Sequence, residues 1–310
     1  MRSTREAYGD TLVTLGENHD FYVMDADLSK ATQTVHFAKK YPERFFNMGI
    51  AEGNMMGFAA GFSTLGKPVF ASSFAEFASG RAFEQVRNTI AYSQCNVKIA
   101  ATHAGLAVGA DGGSHQCIED IALMRVIPNM TVLCPCDYVS AAEYVKLALA
   151  YEGPVYLRLG RSGSPEVYTE GKIFSIGKGT IVKEGNQVTI FAVGDMVARA
   201  LDVAKEMEGV SVVDLVSIKP LDRELVIDCA KKTGAVVTAE DHSVIGGLGS
   251  AVAELLSTEH PTPIEMVGVK DVFGSSGSPA ELAKEYGIDQ VALAAAVKKV
   301  LERKKASCLL

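Results

Sequence analysis

The sequence predicts an α/β protein of two tandem domains, each a largely parallel sheet covered by helices on both faces. Three observations carry the prediction. Short apolar runs alternate with helix-like stretches along nearly the whole chain, the pattern of a parallel sheet with crossover helices. The runs are short and mainly hydrophobic, as in residues 131–133, Thr-Val-Leu, which suits strands covered on both faces. The alternation loosens between Gly160 and Gly185 and then restarts, and 310 residues suffice for two cores.

In order, residues 2–18 read as a helix, 21–24 as a strand ended by Asp25-Ala26-Asp27, and 45–48 as a buried strand before a helix that starts at Glu52. Residues 68–71 give a strand and 75–94 a long amphipathic helix. The strand 97–101 leads into a Gly-rich loop that runs to His115. A helix from about Ile118, a strand at 131–133, a helix at 139–150 and the strand 155–159 complete the first domain, placed at 1–165. The turn chemistry of Gly160-Arg161-Ser162-Gly163-Ser164-Pro165 opens a linker at 166–186. In the second domain, 187–310, strands at 188–193, 210–215 and 235–239 alternate with helices at 195–207, 222–232 and 247–257. A strand near Ile264 and a helix from about Asp289 follow.

Composition narrows the function. Hydrophobic residues make up 48% and charged residues 22%, the balance of a globular protein. A net charge of −7 argues against a nucleic-acid surface, and no apolar run is long enough to cross a bilayer. The N-terminus lacks the apolar core of a signal peptide, so a cytoplasmic protein is expected. Cys95, Cys117 and Cys229 lie in apolar segments as small hydrophobes, and Cys134-Pro135-Cys136 lacks the spacing of structural zinc sites. In the tail Ser307-Cys308-Leu309-Leu310 the cysteine is third from the end, which misses the prenylation pattern.

The chemistry candidates lie where strands end. Glu52 is the one carboxylate in an otherwise small and apolar run from Asn47 to Gly61, at a strand-to-helix handover where open α/β sheets bind ligands. A buried acid there must be paired or protonated; the alternative is an acid placed simply to suit the helix dipole. The loop 102–116 holds His103, Asp111 and His115 with four glycines, which let backbone approach a ligand closely. Phe74 and Phe77, three apart, share a helical face as core or as an aromatic wall. Arg161 is a surface arginine or a phosphate ligand. In the second half, Glu240-Asp241-His242 is the one polar cluster, and Glu240 to Gly249 is expected near a subunit interface.

These residues together resemble the C-terminal portion of transketolase, its pyrimidine-binding and C-terminal domains, from about Val23 to the last helix. Gly49-Ile50-Ala51-Glu52 is similar to the element whose glutamate bonds the cofactor's aminopyrimidine. Thr102 to Gln116 resembles the family's Thr-His…Gly-Glu-Asp-Gly-Pro-Thr-His-Gln loop, with Ala110, Gly113 and Ser114 as departures. Ser73 to Phe77 resembles the aromatic-wall segment, with Gly80 where some members keep a tyrosine. Leu159-Gly160-Arg161 resembles the segment whose arginine meets substrate phosphate. The resemblance implies thiamin diphosphate as cofactor, bound by Glu52, Phe74, Phe77 and Asp27. It implies that His103 and His115 bond the substrate's oxygens and move protons, that Asp111 fixes a hydroxyl and that Arg161 holds a phosphate.

The family holds the diphosphate through Mg2+ or a similar ion, using a Gly-Asp-Gly element and a later asparagine. Here Gly194-Asp195 is the nearest imitation and no asparagine follows it. The expectation is therefore no metal site in this chain. A separate diphosphate-binding transketolase subunit would be its partner, in a dimer of heterodimers, with a homodimer possible for the chain alone. Sugar phosphates would be the substrates of a ketol transfer. The rival readings are a deoxyxylulose-phosphate-synthase-like enzyme, which typically has arginine at His103, the beta subunit of a 2-oxo acid dehydrogenase, whose loop lacks this His-Asp-His spacing, and a non-catalytic regulatory subunit.

Overall fold

The structure, a computed structural model, describes residues 1–307; Cys308 and the tail pattern lie outside them. The strands are β1 (Tyr22–Asp25), β2 (Phe45–Asn47), β3 (Val69–Phe74), β4 (Val97–Thr102), β5 (Thr131–Leu133), β6 (Val155–Arg158), β7 (Thr180–Lys183), β8 (Val188–Ala192), β9 (Val210–Asp214), β10 (Ser217–Lys219), β11 (Val236–Ser243) and β12 (Ile264–Val269). Among the described residues they form two sheets, ordered β10-β5-β6-β4-β3-β1-β2 and β12-β11-β8-β9-β7. Every pairing is parallel except β10 on β5 and β7 on β9. Helices flank both sheets, as the sequence predicts.

β3, β4 and β6 are buried along their whole length because helices cover both faces. Tyr8, Leu12, Phe37 and Tyr144 pack on one side, while Met55, Met56, Ile121 and Met124 belong to the cluster on the other. That second cluster continues through Phe191, Leu215 and Val226, so apolar packing is continuous between the two halves. Local signals start the covering helices: Ser3 and Glu6 form a capping box before Thr4–Leu15, as do Asp137 and Ser140 before Tyr138–Ala150.

Parallel pairing puts the C-terminal ends of β6, β4, β3, β1 and β2, neighbours in that order, along one edge. The register keeps the ends level: Arg158 faces Ala101, Thr102 faces Phe74, and Asp25 lies between Ser72 and Asn47. The segments leaving these strands carry Arg161, His103, Phe74 with Phe77, Asp27 and Glu52. Residues scattered over more than a hundred positions are thereby gathered on one rim.

Several elements differ from expectation. Residues 75–94 hold two π-helical stretches, Glu76–Arg81 and Gln85–Ala91, in place of one regular α-helix, and Phe74 is the last strand residue. The wide turn closes where the Ala82 amide bonds the Phe77 carbonyl five residues back. β2 is a half-buried edge strand, since no described strand pairs beyond it. β7 lies within the stretch read as a linker. β10, three residues before Pro220, is too short to show a period and exists through its pairing with β5.

Candidate active site

Glu52 opens the helix Glu52–Ser63 with its residue only 1% exposed. Ala51 before it provides no side-chain cap, and the helix dipole favours an anion at this end. Both carboxylate oxygens accept hydrogen bonds from Nη1 of Arg81, at 3.0 and 3.1 Å. The same guanidinium lies over the Phe77 ring, 4.5 Å from its centroid. One planar cation thus spans the buried acid and an aromatic face. Sequence reasoning passed over Arg81, which lies in a π-helical stretch that composition does not reveal.

Phe74 and Phe77 stack with centroids 6.0 Å apart and planes 20° apart. His103 lies on Phe74 at 3.9 Å, and His115 presents an edge-on arrangement to Phe77 at 5.5 Å. The structure therefore brings both predicted histidines and both predicted phenylalanines into one cluster. His103 has a left-handed φ of 58° and is 3% exposed. Burial, followed by the charges of Arg5 and Arg161, pushes its pKa down to about 3. It is a neutral imidazole at physiological pH. Its Nδ1 sits 3.0 Å from Thr102 Oγ1, and Nε2 carries no hydrogen bond among the described residues.

Asp111 and Arg161 meet at 3.3 Å, each side chain about two-fifths exposed, and Arg161 also bonds the Val108 carbonyl. They form the outer, wet end of the cluster. Asp27 is exposed and accepts from Asn47 Nδ2 at 2.9 Å; no bond or ring contact joins it to the phenylalanines or histidines among the described residues. Two residues earlier, Asp25 is buried and held by Thr32, Thr34 and the Leu28 amide.

The loop 102–116 is fastened by the second half of the chain. Asp241 accepts from the amides of Leu106 and Ala107 at 2.9 and 3.2 Å. Gly105 has φ +76° and a Cβ there would sit 2.3 Å from Asp241 Oδ2, so only glycine fits. Gln116 bonds the carbonyls of Leu106, Gly109 and Ser275, tying both ends of the loop to residues near 275. Arg158 Nη2 donates to the Asp241 carbonyl at 2.8 Å and its Nε to buried Asp120, which also accepts from Tyr156.

The same strand end joins the two halves of the chain. Glu240, Asp241 and His242 are all buried inside the chain, at the junction of its two halves. Glu240 caps the helix Leu248–Glu259 through the amides of Leu248 and Gly249, and His242 Nε2 accepts from the Ala122 amide at 3.4 Å. Burial pushes Glu240 up to about 7 and His242 down to about 4. A strand end with three adjacent polar residues does not reveal from sequence which internal surface they join.

Two places among the described residues bear on metal binding. Asp195 is bonded by Arg199 at 2.8 Å, so Gly194-Asp195 does not offer a free ligand pair. Glu76, Cys117 and Glu119 bring ligand atoms within 4.8 Å of one another, and burial holds the Cys117 thiol well above its usual pKa. Cys134 and Cys136 are buried, their thiols likewise pushed up by burial.

Known proteins match both halves of the chain. The family description "Transketolase, pyrimidine binding domain" matches residues 1–166, and "Transketolase, C-terminal domain" matches residues 177–293. A Methanocaldococcus jannaschii protein, provisionally named a transketolase C-terminal section, is 48% identical, with 98% of this chain and 97% of that protein covered. The 6-deoxy-6-sulfo-D-fructose transketolase subunit of a Clostridium species is 41% identical, with 97% and 95% covered. A solved structure described as "Split gene transketolase, inactive beta4 tetramer" superposes with a TM-score of 0.92 at 58% identity, over 98% of this chain and 100% of that one. Matched through both halves, this chain belongs to the transketolase family.

Proposed function

We propose that this chain is the pyrimidine-binding subunit of a thiamin-diphosphate-dependent transketolase. It moves a two-carbon ketol unit from a ketose phosphate to an aldose, with a second subunit supplying the diphosphate and Mg2+ site. One observation carries the reading: Arg81 already shows that a planar nitrogen-bearing group fits between buried Glu52 and Phe77. Thiamin diphosphate, when bound, supplies a nucleophilic carbon and an electron sink for cleaving a carbon–carbon bond next to a carbonyl.

This chain's residues supply binding and proton placement. Glu52 bonds a ring nitrogen, and Phe77, backed by Phe74, gives the flat apolar face that excludes water. Neutral His103 offers Nε2 to a substrate oxygen, and His115 flanks it from the edge of Phe77. Arg161 meets a phosphate, with Asp111 as its counter-charge until substrate arrives. The metal is assigned to the second subunit because Asp195 is already held by Arg199. The 58% identical structure is described as an inactive beta4 tetramer, which supports a chain silent on its own.

Two measurements test this. Calorimetry of the isolated chain with thiamin diphosphate and magnesium is expected to show no tight binding and no turnover. Ketol transfer is expected once the diphosphate-binding subunit is added. Magnesium-dependent micromolar binding with catalysis by the chain alone would overturn the proposal.

A further inference from the structure

We propose that Arg81 is an internal occupant of the pyrimidine half-site and sets its affinity by competing with the ligand. The inference rests on the thiamin reading of that site. Glu52 is almost wholly buried, yet its only hydrogen-bond partner among the described residues is Arg81. The Arg81 side chain is itself 53% exposed, and a single nitrogen, Nη1, makes both contacts. It is held by two things, the carboxylate and the Phe77 face. A guanidinium is flat, donates N–H and stacks on aromatic rings. A protonated or amino-bearing pyrimidine has the same three properties. The two therefore compete for one carboxylate and one ring face.

The local backbone makes this possible. Arg81 closes the π-helical stretch Glu76–Arg81, directly after exposed Gly80. From there the side chain can leave Glu52 for solvent without any change in the core. Leaving costs a charge-assisted bond, and an incoming ring restores a partner to the buried acid. The free chain thus keeps Glu52 paired while it lacks cofactor. Apparent affinity falls by the fraction of molecules in which the pair is open; a pair closed about ten to one weakens binding about tenfold.

The test uses the full chain and thiamin without phosphate, which does not require the diphosphate site, with binding read by NMR saturation transfer. Arg81→Met is expected to bind thiamin about tenfold tighter than wild type, and the double variant Arg81→Met/Glu52→Gln to lose that gain. Arg81→Ala is expected to accept methylguanidinium, seen as shifts of the Phe77 ring signals, and thiamin is expected to displace it. Equal or weaker thiamin binding by Arg81→Met would overturn the competition while leaving the thiamin reading intact. Methylguanidinium binding to Arg81→Ala, with no thiamin binding by any variant, would overturn both. Thermal melting of each variant confirms that it is folded before binding is compared.

Discussion

His103 lies nearly flat on Phe74, with ring centroids 3.9 Å apart and planes 25° apart. The stack couples the final residue of β3 to the first residue after β4, the two strands between which the candidate site is centred. It covers a histidine that burial keeps neutral, and it makes that neutrality depend on a side chain from the neighbouring strand.

Replacing Phe74 with Leu should therefore raise the His103 pKa from about 3 toward the ordinary range. The folded value lies below the unfolded one. His103 thus contributes stability above about pH 6.5 that is lost as pH falls toward 3, and the variant should lose less of it. NMR titration of the His103 ring protons reads this directly. An unchanged midpoint would show that the stack plays no part.

Glu52→Gln should fold normally and cut turnover of the reconstituted assembly by about 100- to 10,000-fold, the usual range for removing a general acid–base group. Turnover at saturating cofactor is the measurement, with melting temperature as the control.

Asp241→Asn replaces one of two acceptor oxygens with a donor facing a backbone N–H. The Leu106 or Ala107 amide then loses its partner, at a cost of about 1–3 kcal/mol. Hydrogen exchange at these two amides should accelerate. Ketol transfer should fall with it, because His103 and His115 are carried on the same loop.

Asp214 offers a pH test of the fold. It is fully buried and accepts from Tyr168 through one oxygen, and burial pushes it up to about 7. Its folded pKa exceeds the unfolded value near 3.9. The native state therefore holds the proton more tightly, and stability falls as pH rises from about 4 to about 7. Asp214→Asn removes that loss. It should be more stable than wild type at pH 8, by an amount on the order of a few kcal/mol, and have little advantage at pH 4. Denaturant midpoints at the two pH values measure the difference.

The rim of the site was legible in the sequence because parallel strands announce themselves as short apolar runs and their loops carry the polar residues. Glu52, His103, His115 and Phe77 could be placed by that logic together with family resemblance. Arg81 was not, because a π-helical turn shifts side-chain positions without changing composition. Asp241 was not, because its role depends on where a loop 135 positions earlier lies in space. Asp27 was named from the resemblance alone, while hydrogen bonds to Thr32 and Thr34 make Asp25 the buried acid of the two. Strand-end position alone does not separate two acids two residues apart.

β10 crosses from the second half to close the β5 edge of the first sheet. Cutting the chain between residues 165 and 187 would strip that edge of its antiparallel partner and bare a row of backbone donors and acceptors, a template for intermolecular pairing. It would also divide an apolar cluster whose members run from Met24 to Leu256. The halves should therefore melt together in one calorimetric transition, and a fragment ending near 165 should precipitate instead of persisting as a small stable protein. Engineering that exchanges second halves between relatives must carry Ser217–Lys219 together with the β5 edge that receives it.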